Sequence, residues 1–274
     1  MPEGPEIRRE ADALAAALAG RPLTAVWFAF DRLKGYEAEL AGRTVEAVEA
    51  RGKALLTRLG GLTLYSHNQL YGRWAVTGAG ARPESRRSLR VALHGPDASA
   101  WLFSASEIDV LDAAGLAGQP YLNRLGPEVL DPATTEETVT ARLADPACRR
   151  RQLGALLTDQ GFLAGLGNYL RCEVLHVTGL HPARRPMDLD PAELTALAGA
   201  CLALPRQSYE TGGVTNDPER AAALRQAGHP FEAYRFRVYR RAGQPCYRCG
   251  TPIEKHRLNS QPTYLCPACQ PPPA

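Results

Sequence analysis

The sequence predicts an α+β chain in three parts: a β-sandwich led by a helix, a helical region, and a short C-terminal ribbon clamped by cysteines. Three observations predict it. Short β-rich runs crowd residues 23–104, helical periodicity dominates 135–204, and Cys246, Cys249, Cys266 and Cys269 stand as two C-x2-C pairs. At 274 residues and 45% hydrophobic, the chain can bury one large core or two modest ones besides the ribbon.

The elements follow in order. Residues 5–19 read as a helix, with Ile7, Ala11, Leu14, Ala15 and Leu18 on one face, Pro5 in the first turn, and Gly20 and Pro22 ending it. Strands are expected at Leu23–Phe30, Thr44–Glu49, Ala54–Leu59, Leu62–Ser66, Trp74–Val76, Leu89–Leu93 and Ala100–Ser104. Glycine-rich breaks at Gly60-Gly61 and 78–80 separate them, and so many short strands point to a sandwich. Trp27, Trp74 and Trp101 fall on these strands and are expected to pack it. Helices are expected at Thr135–Leu143, Gln152–Asp159, Gly167–Leu175 and Pro191–Leu204. The last has Asp190 as N-cap, Pro191 in the first turn and Glu193 to complete a capping box. Residues 209–230 read as a loop. Phe231–Arg241 alternates apolar residues with arginine and reads as a strand entering the ribbon.

The two C-x2-C pairs lie sixteen residues apart. Four thiolates close a tetrahedral shell around one Zn2+ and leave no position for water, so the expected zinc is structural. It would fold a short arginine-rich segment that lacks the apolar surface to fold alone. Two disulfides, or a ribbon that only packs on its own protein, are the alternatives. Cys148, Cys172 and Cys201 stand singly among apolar residues and read as buried thiols, which with the zinc spacing favours a reducing cytosol. No run of 18 apolar residues and no signal-peptide pattern is found, so a cytoplasmic protein without membrane contact is expected.

The net charge of +3 is uneven. Residues 203–274 hold ten Lys/Arg against five Asp/Glu, a net of +5, while residues 1–202 hold 22 against 24, a net of −2. A polyanion is therefore expected at the C-terminal part, and a rigid basic hairpin there suits nucleic acid. Lysine is scarce, at Lys34, Lys53 and Lys255 only. Lys53 in its Gly-Lys turn therefore invites a chemical role, against the alternative of a solvated strand end.

The chain opens Met1-Pro2-Glu3-Gly4-Pro5-Glu6. Loss of an initiator methionine before a small residue would expose Pro2 as a secondary amine. An α-amine has a pKa of about 7.7–8.0, against about 10.4 for lysine, so much more of it is neutral and nucleophilic at pH 7. Attack of such an amine on a sugar C1′ gives an iminium, with Glu3 and Glu6 close by to move protons. An exposed helix start is the alternative.

Several stretches then fall in one order: MPEGPEIRR at the start, RGKALL at 51–56, YSHNQLYGRW at 65–74, LLTDQGFLAGLGNYLR at 156–171, and the terminal cysteines. Together, from residue 2 to residue 269, they resemble the Fpg/Nei family of DNA repair glycosylases. The QLY triplet points to its Nei branch.

The resemblance implies a bifunctional DNA glycosylase/AP lyase of base excision repair, acting on oxidised pyrimidines in duplex DNA. Pro2 is implied as the nucleophile, Glu3 as the proton donor, and Lys53 as a phosphate contact that assists β-elimination. Gln69, Leu70 and Tyr71 are implied to fill the gap left by an extruded base, though a hairpin packed on the sandwich is also open. Gly165-Leu166-Gly167-Asn168 is implied as the turn of a helix–two-turn–helix, where Asn168 donates to phosphate; Arg124 resembles another DNA contact. The expected domains are 1–115 (catalytic sandwich), 116–132 (linker), 133–235 (helix–two-turn–helix) and 236–270 (zinc ribbon). A monomer bound to damaged or abasic duplex is expected.

One position departs from the family pattern. Gln261 stands where the family carries an arginine that grips phosphates and serves δ-elimination. A neutral amide cannot form the bidentate fork and is a poor acid, so weaker DNA binding and accumulation of the β-elimination product are expected. Arg257 is a candidate to compensate. Two alternatives are carried: an oxidised-purine preference, as in Fpg, and a DNA-binding protein without catalysis. A zinc hydrolase is excluded, since no His/Asp/Glu cluster offers an open metal site.

Overall fold

The structure, a computed structural model, describes residues 2–258 and 261–273. Met1, Asn259, Ser260 and Ala274 lie outside the described residues. The chain divides into two compact units, Met1–Arg124 and Leu125–Ala274.

In the first unit, α1 (Gly4–Leu18) lays Ile7, Ala11, Leu14 and Leu18 on the sandwich core. Two four-stranded antiparallel sheets follow. One has the order β1 (Ala25–Phe28), β6 (Leu89–His94), β7 (Ala98–Phe103), β5 (Arg73–Gly78); the other runs β2 (Ala47–Arg51), β3 (Ala54–Leu59), β4 (Leu62–His67), β8 (Glu107–Leu111). Successive side chains point to opposite faces of each strand, and one face gives Leu55, Leu64, Leu93, Leu102 and Ile108 to one continuous core. The β2–β3 hairpin closes on two residues, Gly52 and Lys53, between paired Arg51 and Ala54. Gly52 has φ +59°, the glycine-first pattern of a type II′ turn. That turn fixes where Lys53 emerges.

Sequence periodicity passed over α2 (Asp31–Leu40), strand β8, and the short helices α3 (Ala113–Ala117) and α4 (Pro120–Asn123). Helix α2 buries only Leu33 and Leu40, too sparse a stripe to register as periodic. Trp74 lies in the core as expected. Trp101 packs instead on the outer face of its sheet with Ala92 and Phe103. Trp27, at 41% exposure, does not pack the sandwich at all, because burial in β1 alternates and falls on Val26 and Phe28.

The second unit holds α5 (Glu136–Ala144), α6 (Leu153–Leu156), α7 (Asn168–Thr178), α8 (Pro191–Glu210), α9 (Pro218–Gln226) and α10 (Phe231–Tyr234), then the hairpin β9 (Glu254–Leu258) and β10 (Gln261–Leu265). Helix α8 carries the expected Asp190/Glu193 capping box and runs on past Pro205. Helix α6 is one turn, shorter than the expected Gln152–Asp159. The expected loop 209–230 contains α9, whose Asp217 N-cap accepts from the Arg220 N–H at 3.0 Å with Pro218 in the first turn.

The expected strand at Phe231–Arg241 is absent. One carboxylate explains it: Glu173, fully buried on α7, accepts from the N–H groups of Arg237 (2.8 Å), Val238 (2.9 Å) and Tyr239 (2.9 Å). Three successive amides converging on one point curl the backbone, whereas a strand would send them alternately to opposite sides. The period-two pattern is still used, since Phe236 and Val238 are buried.

Candidate active site and nucleic-acid interface

The first cluster forms around the start of α1. Glu3 is the N-cap and is 1% exposed, and its backbone N–H donates to Glu6 Oε2 at 3.0 Å. The capping arrangement places Pro2 and the carboxylates of Glu3 and Glu6 at the positive end of a fifteen-residue helix. Lys53 feels both carboxylates. Burial depresses the ammonium pKa below its ordinary value, and Glu3 and Glu6 pull it part of the way back. The Lys53 backbone N–H donates to the Tyr121 hydroxyl at 2.8 Å, so the turn is pinned to α4. Tyr121 also meets His67 edge-on at 4.8 Å and carries Arg124 over its face at 5.2 Å, which leaves the Arg124 guanidinium exposed at the C-cap of α4.

Gln69, Leu70 and Tyr71 sit in the loop between β4 and β5. Leu70 is 53% and Tyr71 69% exposed, a costly arrangement for two large apolar side chains. Gln69 has φ +50°. Its Oε1 accepts from Ser106 Oγ at 2.6 Å, its Nε2 donates to Glu107 Oε2 at 3.3 Å, and its backbone N–H donates to His67 Nδ1 at 3.1 Å. That last bond requires an unprotonated Nδ1, in keeping with a His67 pKa lowered chiefly by burial.

In the second unit Gly165 (φ +100°) turns the backbone into α7, which begins at Asn168. The Asn168 amide is engaged within the unit: Nδ2 donates to the Pro262 carbonyl at 2.8 Å, and Oδ1 accepts from Arg171. Arg171, 1% exposed, also donates to Thr263 Oγ1 (2.7 Å) and to the Gly154 carbonyl (3.0 Å). The ribbon hairpin is thereby stapled to α7, and Leu258 fills the space that a Cβ at Gly154 would need. Gln261 opens β10, half-buried, opposite Leu258, and its Oε1 is buried without a hydrogen-bond partner among the described residues.

The four ribbon cysteines bring their sulfurs within 4.8 Å of one another. Sγ–Sγ separations are 3.4 Å (Cys249–Cys266), 3.5 Å (Cys249–Cys269) and 3.9 Å (Cys246–Cys269). A tetrahedron with Zn–S bonds of about 2.3 Å has edges of about 3.8 Å, whereas a disulfide needs about 2.05 Å. The donor set fits one Zn2+ and rules out two disulfides. His176 stands behind it, with Nε2 at 3.4 Å from Cys246 Sγ. Burial, and then Arg248, Arg237 and Arg241, push its pKa down to about 4; a ring with its proton on Nε2 would donate to that sulfur. Its Nδ1 is buried without a partner among the described residues.

Models of three families match successive segments: the formamidopyrimidine-DNA glycosylase N-terminal domain at residues 1–105, its H2TH domain at 125–218, and a zinc finger found in FPG and IleRS at 243–272. Over 271 residues the chain is 52% identical to endonuclease 8 of Escherichia coli O17:K52:H18, covering 98% of this chain and 100% of the relative. The chain belongs to the Fpg/Nei family. It is a DNA glycosylase/AP lyase of base excision repair with a structural zinc site. Endonuclease 8 of Klebsiella pneumoniae is equally similar, at 52% over 271 residues with the same coverage. The fold is shared with Lactococcus lactis Fpg in complex with DNA containing N7-benzyl-Fapy-dG (TM-score 0.80, 21% identity, 99% of this chain and 100% of that one). It is shared as well with the same protein bound to abasic-site DNA (TM-score 0.80, 20% identity, 98% and 100%).

Sequence reasoning missed five residues that organise this family site: Tyr121, Glu107, Arg171, Glu173 and His176. Each acts through a partner between 42 and 92 residues away, such as Glu107 on Tyr65 or Arg171 on Thr263. The spacing of neighbours along the chain carries no trace of such contacts.

Proposed function

We propose that the chain removes oxidised pyrimidines from duplex DNA through a Schiff base on Pro2 and cuts the strand by β-elimination, with δ-elimination weakened by Gln261. The observation that carries it is the charge cluster at the helix start: Pro2 beside two carboxylates, with a desolvated Lys53 in their field.

With Met1 gone, the neutral Pro2 nitrogen bonds to C1′, the damaged base leaves with the glycosidic electron pair, and the proton shed by the nitrogen neutralises that base. A proton from the Glu3 carboxyl passes to O4′ as the ring opens, and an iminium remains. The iminium acidifies C2′–H; the Glu3 carboxylate left by the previous step takes that proton as the C3′–O bond breaks and the phosphate leaves. The Lys53 ammonium stabilises the charge that gathers on that phosphate. Exposed Leu70 and Tyr71 fill the vacated stack, and Gln69 exchanges its bonds to Ser106 and Glu107 for the widowed base. Arg124, the α7 N-terminus with Asn168, and the basic hairpin hold the backbone.

This assigns chemistry to residues 1–115, linkage to 116–132 and the grip on duplex to 133–235 and 236–270, with one copy of the chain sufficing. The bacterial relatives and the free buried thiols support work in the cytoplasm. No helix among the described residues is long and apolar enough to cross a membrane.

Borohydride trapping tests the proposal. Mature, untagged protein should become covalently linked to abasic DNA and should excise thymine glycol in preference to 8-oxoguanine. Absence of the adduct would leave only a DNA-binding protein. The reverse lesion preference would move the chain to an oxidised-purine role.

A further inference from the structure

We propose that Glu10 is the positioning residue that sets the Gln69–Tyr71 loop relative to the helix bearing the nucleophile, an inference resting on the roles just proposed for Pro2 and that loop. Glu10 follows Glu3 by seven residues and Glu6 by four, so all three lie along one face of α1. Its Oε2 accepts from Asn68 Nδ2 at 2.6 Å, and the Trp74 backbone N–H lies near enough to favour the same carboxylate. Asn68 is the residue just before the triplet, and Trp74 lies just after it in β5. One carboxylate on α1 therefore holds both feet of the loop.

The rest of the loop divides into a fixed base and a releasable tip. At the base, Asn68 is 2% exposed, and Gly72 N–H donates to its carbonyl at 2.7 Å. A Cβ at position 72 would stand 2.6 Å from Asn68 Cα, so the chain closes there as tightly as glycine permits. The Asn68 side-chain Oδ1 is buried without a partner among the described residues, which leaves Glu10 as the group seen to orient this amide. At the tip, Leu70 and Tyr71 are exposed, and Gln69 is held by side-chain bonds at the surface. A plug that enters a base stack has to move at its tip while its base stays in register with the attacking nitrogen. A displacement of about 1 Å in such a constellation costs roughly a hundredfold in rate. Arg73, at the start of β5, lines the same cleft and favours the Glu10 carboxylate, while the like charge of Glu6 opposes it.

The experiment separates base extrusion from nucleophilic attack. Single-turnover excision of thymine glycol from duplex is compared with borohydride trapping on single-stranded abasic DNA, where no base has to be displaced. For Glu10→Ala, duplex excision should slow about tenfold or more while trapping stays within about twofold. Asn68→Ala should reproduce this split, and the double variant should be no slower than either single one. Glu10→Gln should restore duplex excision, because its side-chain oxygen can still accept from Asn68 Nδ2. Equal slowing on both substrates, unchanged duplex excision, additive effects, or no rescue by glutamine would each overturn the proposal. Should Glu10→Ala fail to fold, Asn68→Ala carries the same comparison. Failure of the wild type to trap would instead refute the Pro2 mechanism, whatever Glu10 does.

Discussion

The sandwich and the ribbon solve one problem, holding a functional edge rigid, by opposite means. The sandwich has a continuous apolar core running from Ile7 to Val110. The ribbon has five buried core residues, Val238, Cys246, Ile253, Tyr264 and Cys266, which pack with Cys172 of α7, and two of the five are zinc ligands. Removing apolar area from water at about 25 cal/mol per Å2 gives so small a cluster little stability. Four thiolates on zinc supply what the area cannot, apparent values being about 10–16 kcal/mol in zinc-finger peptides. The sandwich can therefore carry desolvated charges such as Lys53 at one end, whereas the ribbon depends on its metal and on Arg171 and Glu173 beneath it.

The comparison can be broken in several ways. The largest effect is expected at the N-terminus. Retaining Met1 or adding a tag should abolish trapping and leave duplex affinity within about twofold, since attack needs a free α-amine. Equal trapping with a tag would take Pro2 out of the mechanism. Next is the ribbon. Cys249→Ser or zinc chelation should cut duplex affinity about a hundredfold or more. All three tryptophans lie in the first unit, so their emission should not change as the ribbon melts. A tryptophan shift on chelation would show that the sandwich needs the metal too.

Lys53→Gln should slow strand cleavage about a hundredfold while the protein still folds. A change confined to affinity would make Lys53 a binding group alone. Gln261→Arg should tighten duplex binding about tenfold, steepen the salt dependence by about one ion and raise the 3′-phosphate product. An unchanged salt slope would show that Arg257 already fills that role.

The smallest effect concerns stability. Burial pushes the Glu10 pKa from 4.5 up to about 7, against the opposing influence of Asn68, Trp74 and Arg73. A raised carboxyl pKa favours the folded state at low pH, and that contribution is lost as pH climbs from 4.5 through 7. Glu10→Gln, which does not titrate, should thus raise Tm over the wild type at pH 8 and barely alter it at pH 5. An equal shift at both values would mean that Glu10 is not desolvated in solution.

What the sequence by itself determined was whatever a few neighbouring residues encode. The C-x2-C pairs name their metal because two short loops set the ligand distances. Asp190 to Glu193 writes its own cap. Gly52-Lys53 and Gly60-Gly61 turn hairpins through backbone geometry alone. Tertiary structure decided what depends on partners far along the chain. Residues 237–239 alternate like a strand, yet Glu173, more than sixty residues earlier, curls them. Glu10 looks like a solvated helix carboxylate until the fold brings Asn68 to it across 58 residues. Local patterns record the covalent geometry of a chain; a buried hydrogen bond between distant residues exists only once hydrophobic collapse has removed the water that competes for both groups.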